Sequence, residues 1–420
     1  MSEDATVVDL GFKRSAAKLD QMLAKTEKNQ VIGNVSNLIL IIGHDPVLSG
    51  LCGYDEFQCL PVIHNPAPSP IDDAPSLPGP YPRAWSAADV SQIQSYIQRI
   101  WVSGAKKGDV EDAMNAVAAS RRFHPIRDWL DGLTWDREPR LNQWLRKAFG
   151  ADDTEYVEDV SSCTLIAAVR RVRKPGCKFD HMPVLEGAQG IGKSTAVKAL
   201  FGAQFFTDNL PLALESKDAA LGLQGAWCVE FAEIEQLIRA EAEIAKAFLS
   251  RSVDRFRAPY GKTFLSYPRQ CVFIGTTNDS DYLRDATGNR RFWPILCRFV
   301  EIDWITTNRE QIWAEAAYRE SLGEDHWLSE ETTIKQAAEA QQDRQQEDVW
   351  EDCVKLFLVG KTDTSTADVL TDALKIPIER QTRREQIRVS AIMKKLQWQR
   401  VNVRSGASVT KRWKKDVLRL

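Results

Sequence analysis

The chain has 420 residues, 43% apolar and 27% charged, with a net charge of −3. That length allows several domains with cores of their own, and the composition is ordinary for a soluble globular protein. No apolar run approaches the ~18 residues needed to span a bilayer. No basic-then-apolar leader opens the chain, and its eight scattered cysteines include no C-x-x-C pair, which argues for free thiols in the cytoplasm and against a zinc site.

Residues 1–60 read as a small accessory region, with helical periodicity around Phe12 to Leu23, a strand-sized run Leu38–Ile42 and a turn at Gly43-His-Asp-Pro46. Eight prolines between Pro61 and Pro82 favour an extended linker reaching residue 84. From residue 85 to about 175 the pattern predicts a helical collar or oligomerisation domain. Ser86-Ala-Ala-Asp89 has the form of a capping box. Val90, Ile93, Ile97 and Ile100 recur at helical spacing, and further helices are expected over Asp109–Ser120 and Tyr156–Arg173. His124 is expected to pack or cap, not to catalyse.

The next stretch, Gly187-Ala-Gln-Gly-Ile-Gly-Lys193-Ser194, fits the phosphate-loop pattern G-x-x-x-x-G-K-[ST]. An apolar strand at Val184-Leu185 enters it, and a helix over Ser194–Leu200 leaves it. Gly187, Gly190 and Gly192 let successive N–H groups turn inward on an anion, and the helix N-terminus adds its dipole. On this reading Lys193 reaches the β- and γ-phosphates of ATP. Ser194 places its hydroxyl on Mg²⁺, and Thr195 completes the nucleotide cradle.

The core expected over 176–348 is α/β, with strands alternating with helices around a parallel sheet. Ala226–Glu233 is an apolar strand with acids at its end. Glu230, named beside Ser194 for the metal, and Glu233 are the candidates for holding Mg²⁺ and activating water, and the sequence leaves the division of roles open. A third strand, Gln270–Asn278, brings Asn278 to the ligand-binding end of the sheet. Between them lies a basic and aromatic hairpin, Arg255–Arg269. Its Tyr260 and Lys262 suit single-stranded nucleic acid, because cations neutralise phosphates and aromatics stack on bases. Arg290 and Arg291, in a polar loop locked by Phe292-Trp293-Pro294, offer a planar cation to a γ-phosphate across a subunit boundary. One of the two is expected to form a structural ion pair.

Residues 349–420 differ in character. From Ile378 to Leu420 there are 13 Lys/Arg against three acids. Two helices, Thr366–Leu374 and Arg388–Leu396, precede a hairpin over Trp398–Trp413 turning at Ser405-Gly406. Helix, helix, basic hairpin is a winged-helix plan, with Lys394, Lys395, Arg404, Lys411 and Arg412 as DNA-contact candidates.

Taken together, Trp135-Asp-Arg-Glu-Pro-Arg-Leu141, Pro175–Asp180, Leu185–Thr195, Pro259-Tyr-Gly-Lys262, Gly275-Thr-Thr-Asn278 and Asn289–Pro294 resemble the virulence-associated protein E family of phage and mobile-element proteins. That family is similar to the superfamily 3 helicases of the AAA+ class. The resemblance implies a ring, commonly of six subunits, with ATP sites at subunit boundaries, Lys262 facing a central channel, and an arginine of the Arg290-Arg291 pair completing the neighbour's site. Glu230 and Glu233 stand three apart, where many such helicases have adjacent acids. No primase-type metal cluster is evident in the first 125 residues. The leading expectation is an ATP-driven helicase or translocase acting on single-stranded and forked DNA, with other replication proteins as further partners. An origin-marking ATPase switch is the alternative, and a small-molecule kinase is disfavoured by the basic domain.

Overall fold

The computed structural model describes residues 15–69, 79–211, 213–257, 263–283, 288–345, 349–405 and 408–415; the side chains of 236–242, 405, 408 and 409 are not described. Tyr260, Lys262 and the hairpin turn at Gly406 therefore lie outside the described residues.

The apolar run expected as a strand is a helix, α1 (Val35–His44). The Asn34 side chain caps it by accepting from Asn37 N–H, and Leu38, Ile41 and Ile42 are fully buried. Burial on more than one face removes the polar alternation that distinguishes a buried helix from a strand. The strands β1 (Cys52–Asp55) and β2 (Leu60–Ile63) pair antiparallel. Helices α2 (Ala87–Ile100) and α3 (Lys107–Ser120) follow, and β3 (Arg122–Phe123) pairs parallel with β1. The Ser86–Asp89 capping box is present, and Arg83 adds an ion pair to Asp89 at 2.8 Å.

A single apolar cluster joins Leu19, Ile41 and Ile63 to Ile93, Met114 and Ala118. The expected boundary at 84/85 is thus not a break in the core. Helix α3 packs against α1, β1 and α2, and the two ends of the proline-rich stretch meet where Ile63 bridges Arg83. The rest of the expected collar belongs to the following core. Helices α4 (Pro125–Asp131), α5 (Trp144–Phe149) and α6 (Glu155–Arg173) bury Ile126, Trp144 and Leu165 in one cluster with Leu185, Val197 and Trp313.

That second core surrounds a five-stranded sheet. Its strands are β4 (Met182–Glu186), β5 (Phe206–Thr207), β6 (Cys228–Ala232), β9 (Val272–Thr277) and β10 (Phe292–Leu296), arranged β10-β4-β9-β6-β5 with every pairing parallel. Parallel neighbours demand crossovers, and helices α7 (Lys193–Phe201), α8 (Lys217–Gly222) and α9 (Ile234–Ser250) lie between successive strands. Strands buried on both faces carry continuous apolar runs, as Val272-Phe-Ile274 does. The hairpin β7 (Val253–Phe256) and β8 (Leu265–Pro268) projects between α9 and β9. A buried Arg269–Asp254 pair at 2.6 Å anchors its base. Helices α10 (Ile302–Ser321) and α11 (Glu331–Asp343) close the core, with Ile312, Trp313 and Ala316 buried as their spacing predicts.

The last region has its own core of Val354, Leu358, Val389, Met393, Trp398 and Trp413. Its order is α12 (Glu351–Leu358), β11 (Asp363–Thr364), a helical stretch 366–373, α13 (Arg383–Lys395), then β12 (Trp398–Ser405) and β13 (Ser408–Lys415), with the sheet ordered β11-β13-β12. The first helix and the short third strand add to the expected plan. Two residues of strand carry no legible period. No described helix is long and apolar enough to cross a membrane.

Candidate functional site

The C-terminal ends of β4, β6 and β9 converge on a cavity of about 330 Å³ lined by Gln189–Thr195, Ala232, Glu233, Thr276, Thr277 and Asn278. Its floor is the 187–194 loop. Gly190 (φ 79°) and Gly192 (φ 100°) occupy left-handed backbone, and a Cβ on Gly187 would stand 2.5 Å from the carbonyl oxygen of Cys297. Glycine is therefore required by conformation at two positions and by close approach at the third. The first turn of α7 begins at Lys193, and Lys193, Ser194 and Thr195 line the cavity at the helix end whose N–H groups lack intrahelical partners.

Lys193 is nearly buried, and its ammonium donates to the carbonyl oxygens of Gly187 (2.7 Å) and Ala188 (3.0 Å). Burial pulls its pKa below the usual lysine value. A partly desolvated cation closing its own loop is one that an entering anion stabilises.

Glu230 is 1% exposed. One carboxylate oxygen, Oε1, accepts both the Ser194 hydroxyl and the Thr276 hydroxyl at 2.6 Å. The other, Oε2, is buried with no hydrogen-bond partner. Burial pushes the carboxyl pKa up, against the opposing effect of the two hydroxyls. Buried carboxylate oxygens are normally paired, because leaving one bare costs ~1–3 kcal/mol or more. The bare oxygen beside a loop hydroxyl fits a hard divalent cation, which takes oxygen ligands and neutralises the carboxylate.

Glu233 lies just beyond β6, in left-handed backbone (φ 50°, ψ 52°) at the start of α9, and lines the cavity. A non-glycine residue held in this region at a site rim stores strain of ~1–3 kcal/mol. Glu230 and Glu233 thus occupy different settings, one buried within the strand and one exposed at the rim. Asn278, also exposed, lines the opposite wall one residue past β9. Beneath it Thr277 donates its hydroxyl to the buried Glu235 at 2.7 Å, and its carbonyl accepts from Gly187 N–H at 3.2 Å. Sequence reasoning missed Glu235, whose place depends on helix phase; it offered Thr276 or Thr277 beside Asn278 for the water or the γ-phosphate, but not the bond from Thr276 to Glu230, which depends on strand register.

The two arginines separate. Arg291 donates to the Ser250 hydroxyl at 2.9 Å and lies 3.5 Å from Asp180. Arg290 is exposed, and it lines a different cavity with His181 and Trp293. Neither contributes to the phosphate-loop cavity of its own chain. His124 caps α4, its ring nitrogen accepting from Arg127 N–H at 3.1 Å.

In the basic region the candidates also divide. Lys395 is tied to Glu351 at 2.6 Å and Arg412 to Asp363 at 2.6 Å. Lys394, Arg404 and Lys411 are exposed. Cross-strand pairs Arg400↔Trp413, Asn402↔Lys411 and Arg404↔Val409 share one face of the hairpin, which brings Arg400, Arg404 and Lys411 together on it. Exposed Arg383 and Arg384 on α13 extend the basic surface. Sequence reasoning missed them as individuals, though their charge belongs to the basic excess.

Residues 130–347, just over half of the chain, match the model of the virulence-associated protein E-like domain. The chain belongs to that family. Among solved structures, it is similar to the apo structure of the NrS-1 C terminal region (305–718), at 14% identity over 68% of this chain and 77% of that one, with a TM-score of 0.42. It is also similar to the A form apo structure of the same region, at 15% identity over 68% and 78%, with a TM-score of 0.41. No curated protein matches the chain.

Proposed function

We propose that the chain is an ATP-driven DNA helicase or translocase of phage or mobile-element replication, working in the host cytoplasm as a homo-oligomeric ring, commonly of six. Its core is read as AAA+ of the superfamily 3 helicase type, and residues 349–415 as a winged-helix DNA-binding domain. The observation that carries the reading is Glu230. A buried acid with one bare oxygen stands opposite the phosphate-loop serine on a sheet ordered fifth, first, fourth, third, second in strand sequence.

In this reading the loop N–H groups and Lys193 hold the β- and γ-phosphates, which replace the carbonyls of Gly187 and Ala188 as partners of the ammonium. Ser194 and Glu230 hold Mg²⁺, which when bound neutralises charge on the phosphate oxygens. Glu233, at the rim, orients and deprotonates the attacking water, and Asn278 positions it against the γ-phosphate. Arg290 reaches a neighbouring subunit's γ-phosphate, and Arg291 holds the loop from which it projects. Tyr260 and Lys262, outside the described residues, are assigned to the DNA channel on sequence alone.

The test is ATP hydrolysis by the purified chain with and without single-stranded DNA, together with separation of a forked duplex. Stimulation by single strands and unwinding support the reading. Hydrolysis indifferent to DNA, with no strand separation, overturns it. The separate apolar core of residues 354–413 favours one second reading, an origin-bound ATPase switch. Sequence-specific binding by the basic region, with ATPase but negligible unwinding, selects it.

A further inference from the structure

Immediately before the phosphate loop stands a second buried acid. Glu186 is the last residue of β4 and 5% exposed, and it is joined directly to Gly187, whose carbonyl receives Lys193. Its Oε1 accepts Tyr282 OH at 2.8 Å and Arg344 Nε at 2.9 Å, and its Oε2 accepts a second Arg344 nitrogen at 2.9 Å. The Glu186 carbonyl accepts from Cys297 N–H at 2.6 Å, and the Cys297 carbonyl oxygen lies close against Gly187. The buried acid thus lies one residue from the carbonyl that the loop lysine holds, where charge is poorly screened.

A carboxylate in that position opposes a polyphosphate on the loop unless a cation offsets it. Arg344 is that cation, and it comes from far along the chain. It caps the C-terminal end of α11, a few residues before the basic region begins at α12. Its carbonyl also accepts from Leu283 N–H at 3.0 Å, on the segment that follows Asn278.

We propose that Arg344 is a positioning residue for nucleotide binding: by neutralising Glu186 it lets the phosphate loop hold a polyphosphate. The inference rests on the phosphate-loop reading above.

The test is titration of the full chain with a fluorescent, non-hydrolysable ATP analogue and Mg²⁺, for wild type, Arg344→Gln, Glu186→Gln and the double variant, with thermal melts of each. Arg344→Gln is expected to weaken binding about tenfold, since it leaves a buried carboxylate uncompensated one residue before the loop. Glu186→Gln is expected to bind at least as tightly as wild type. The double variant is expected to recover wild-type affinity within about twofold, because the opposing charge is gone. Wild-type affinity in Arg344→Gln overturns the inference. So does a double variant as weak as Arg344→Gln, which would make the arginine a structural tie and nothing more. A wild-type chain that binds no nucleotide overturns the phosphate-loop reading and this inference with it, whereas the first two results leave that reading standing.

Discussion

Two buried glutamates, one beside the phosphate loop and one in the basic region, are treated oppositely by their surroundings. Glu351, at the start of α12, is bonded by Lys395 at 2.6 Å and Lys355 at 3.0 Å. Burial works against its ionisation, yet the two lysines hold its carboxyl below the usual range. Glu230 has two hydroxyls on one oxygen and nothing on the other, and burial pushes its carboxyl up. A carboxylate satisfied on both oxygens holds a fold together, whereas one left half-satisfied is disposed toward a ligand. The same residue type at similar burial thus marks a structural tie in one region and a site in the other.

The largest effect expected from breaking this contrast is on the phosphate site. Lys193→Ala should lower ATP turnover about a hundredfold or more, since preorganised cations at a developing charge contribute on that order. A steady-state rate near wild type would remove the loop from the chemistry. Glu230→Gln should cost turnover by a similar factor while leaving the nucleotide-free chain as stable as wild type or more so. The amide keeps the shape and removes a buried anion with a bare oxygen. A clear drop in melting temperature near neutral pH would place Glu230 with Glu351 as a structural acid.

How much of this is legible in the sequence follows from the range of the forces involved. The loop is a local device, with glycines, lysine and serine within eight positions, so Gly187–Ser194 can be read directly. Two strands after it can be read too, because Ala226–Val229 and Cys271–Ile274 are apolar runs. That Glu230 and not Glu233 faces Ser194 is not legible, since it depends on the register of β6 against β9, where Glu230 pairs with Ile274. Nor is the Glu186–Arg344 pair, whose partners are 158 positions apart. The apolar cluster shared by residues on both sides of the proline-rich stretch is not legible either, because proline content reports local extension, not which surfaces meet. Ile63 and Arg83 meet as a backbone bridge, and Ile63 shares its cluster with residues of α1, α2 and α3. In the basic region net charge is visible, but the separation of exposed Arg404 and Lys411 from paired Lys395 and Arg412 is tertiary.

Smaller effects sharpen the other side of the comparison. Glu351→Ala should destabilise the basic region by about 1–2 kcal/mol, as expected when a buried ion pair loses one member near a surface. Basal ATP turnover should be unchanged. Its folded-state pKa is depressed, so its contribution is present above the unfolded carboxyl pKa and is lost as pH falls through the folded value. For Glu230 the sign reverses. Its raised pKa favours the folded state at low pH, and that contribution is lost as pH rises through the raised value. Melts from pH 7 down to pH 2.5 should therefore narrow the stability gap between Glu351→Ala and wild type below about pH 4.5, and a gap that stays constant would mean the lysines do not act through charge.

The smallest effect expected is also the most selective. Arg404→Ala and Lys411→Ala should each weaken DNA binding across sequences and reduce the salt dependence by about one counterion for each cation removed. Arg412→Ala, whose guanidinium is engaged by Asp363 and Asp368, should instead change the melting temperature and leave the salt slope where it was. Binding isotherms at several salt concentrations distinguish the two. A slope altered equally by Arg412→Ala would show that its ion pairs yield to phosphate. In that case the division between tied and exposed cations on this hairpin would not be the division between fold and function that the two glutamates display.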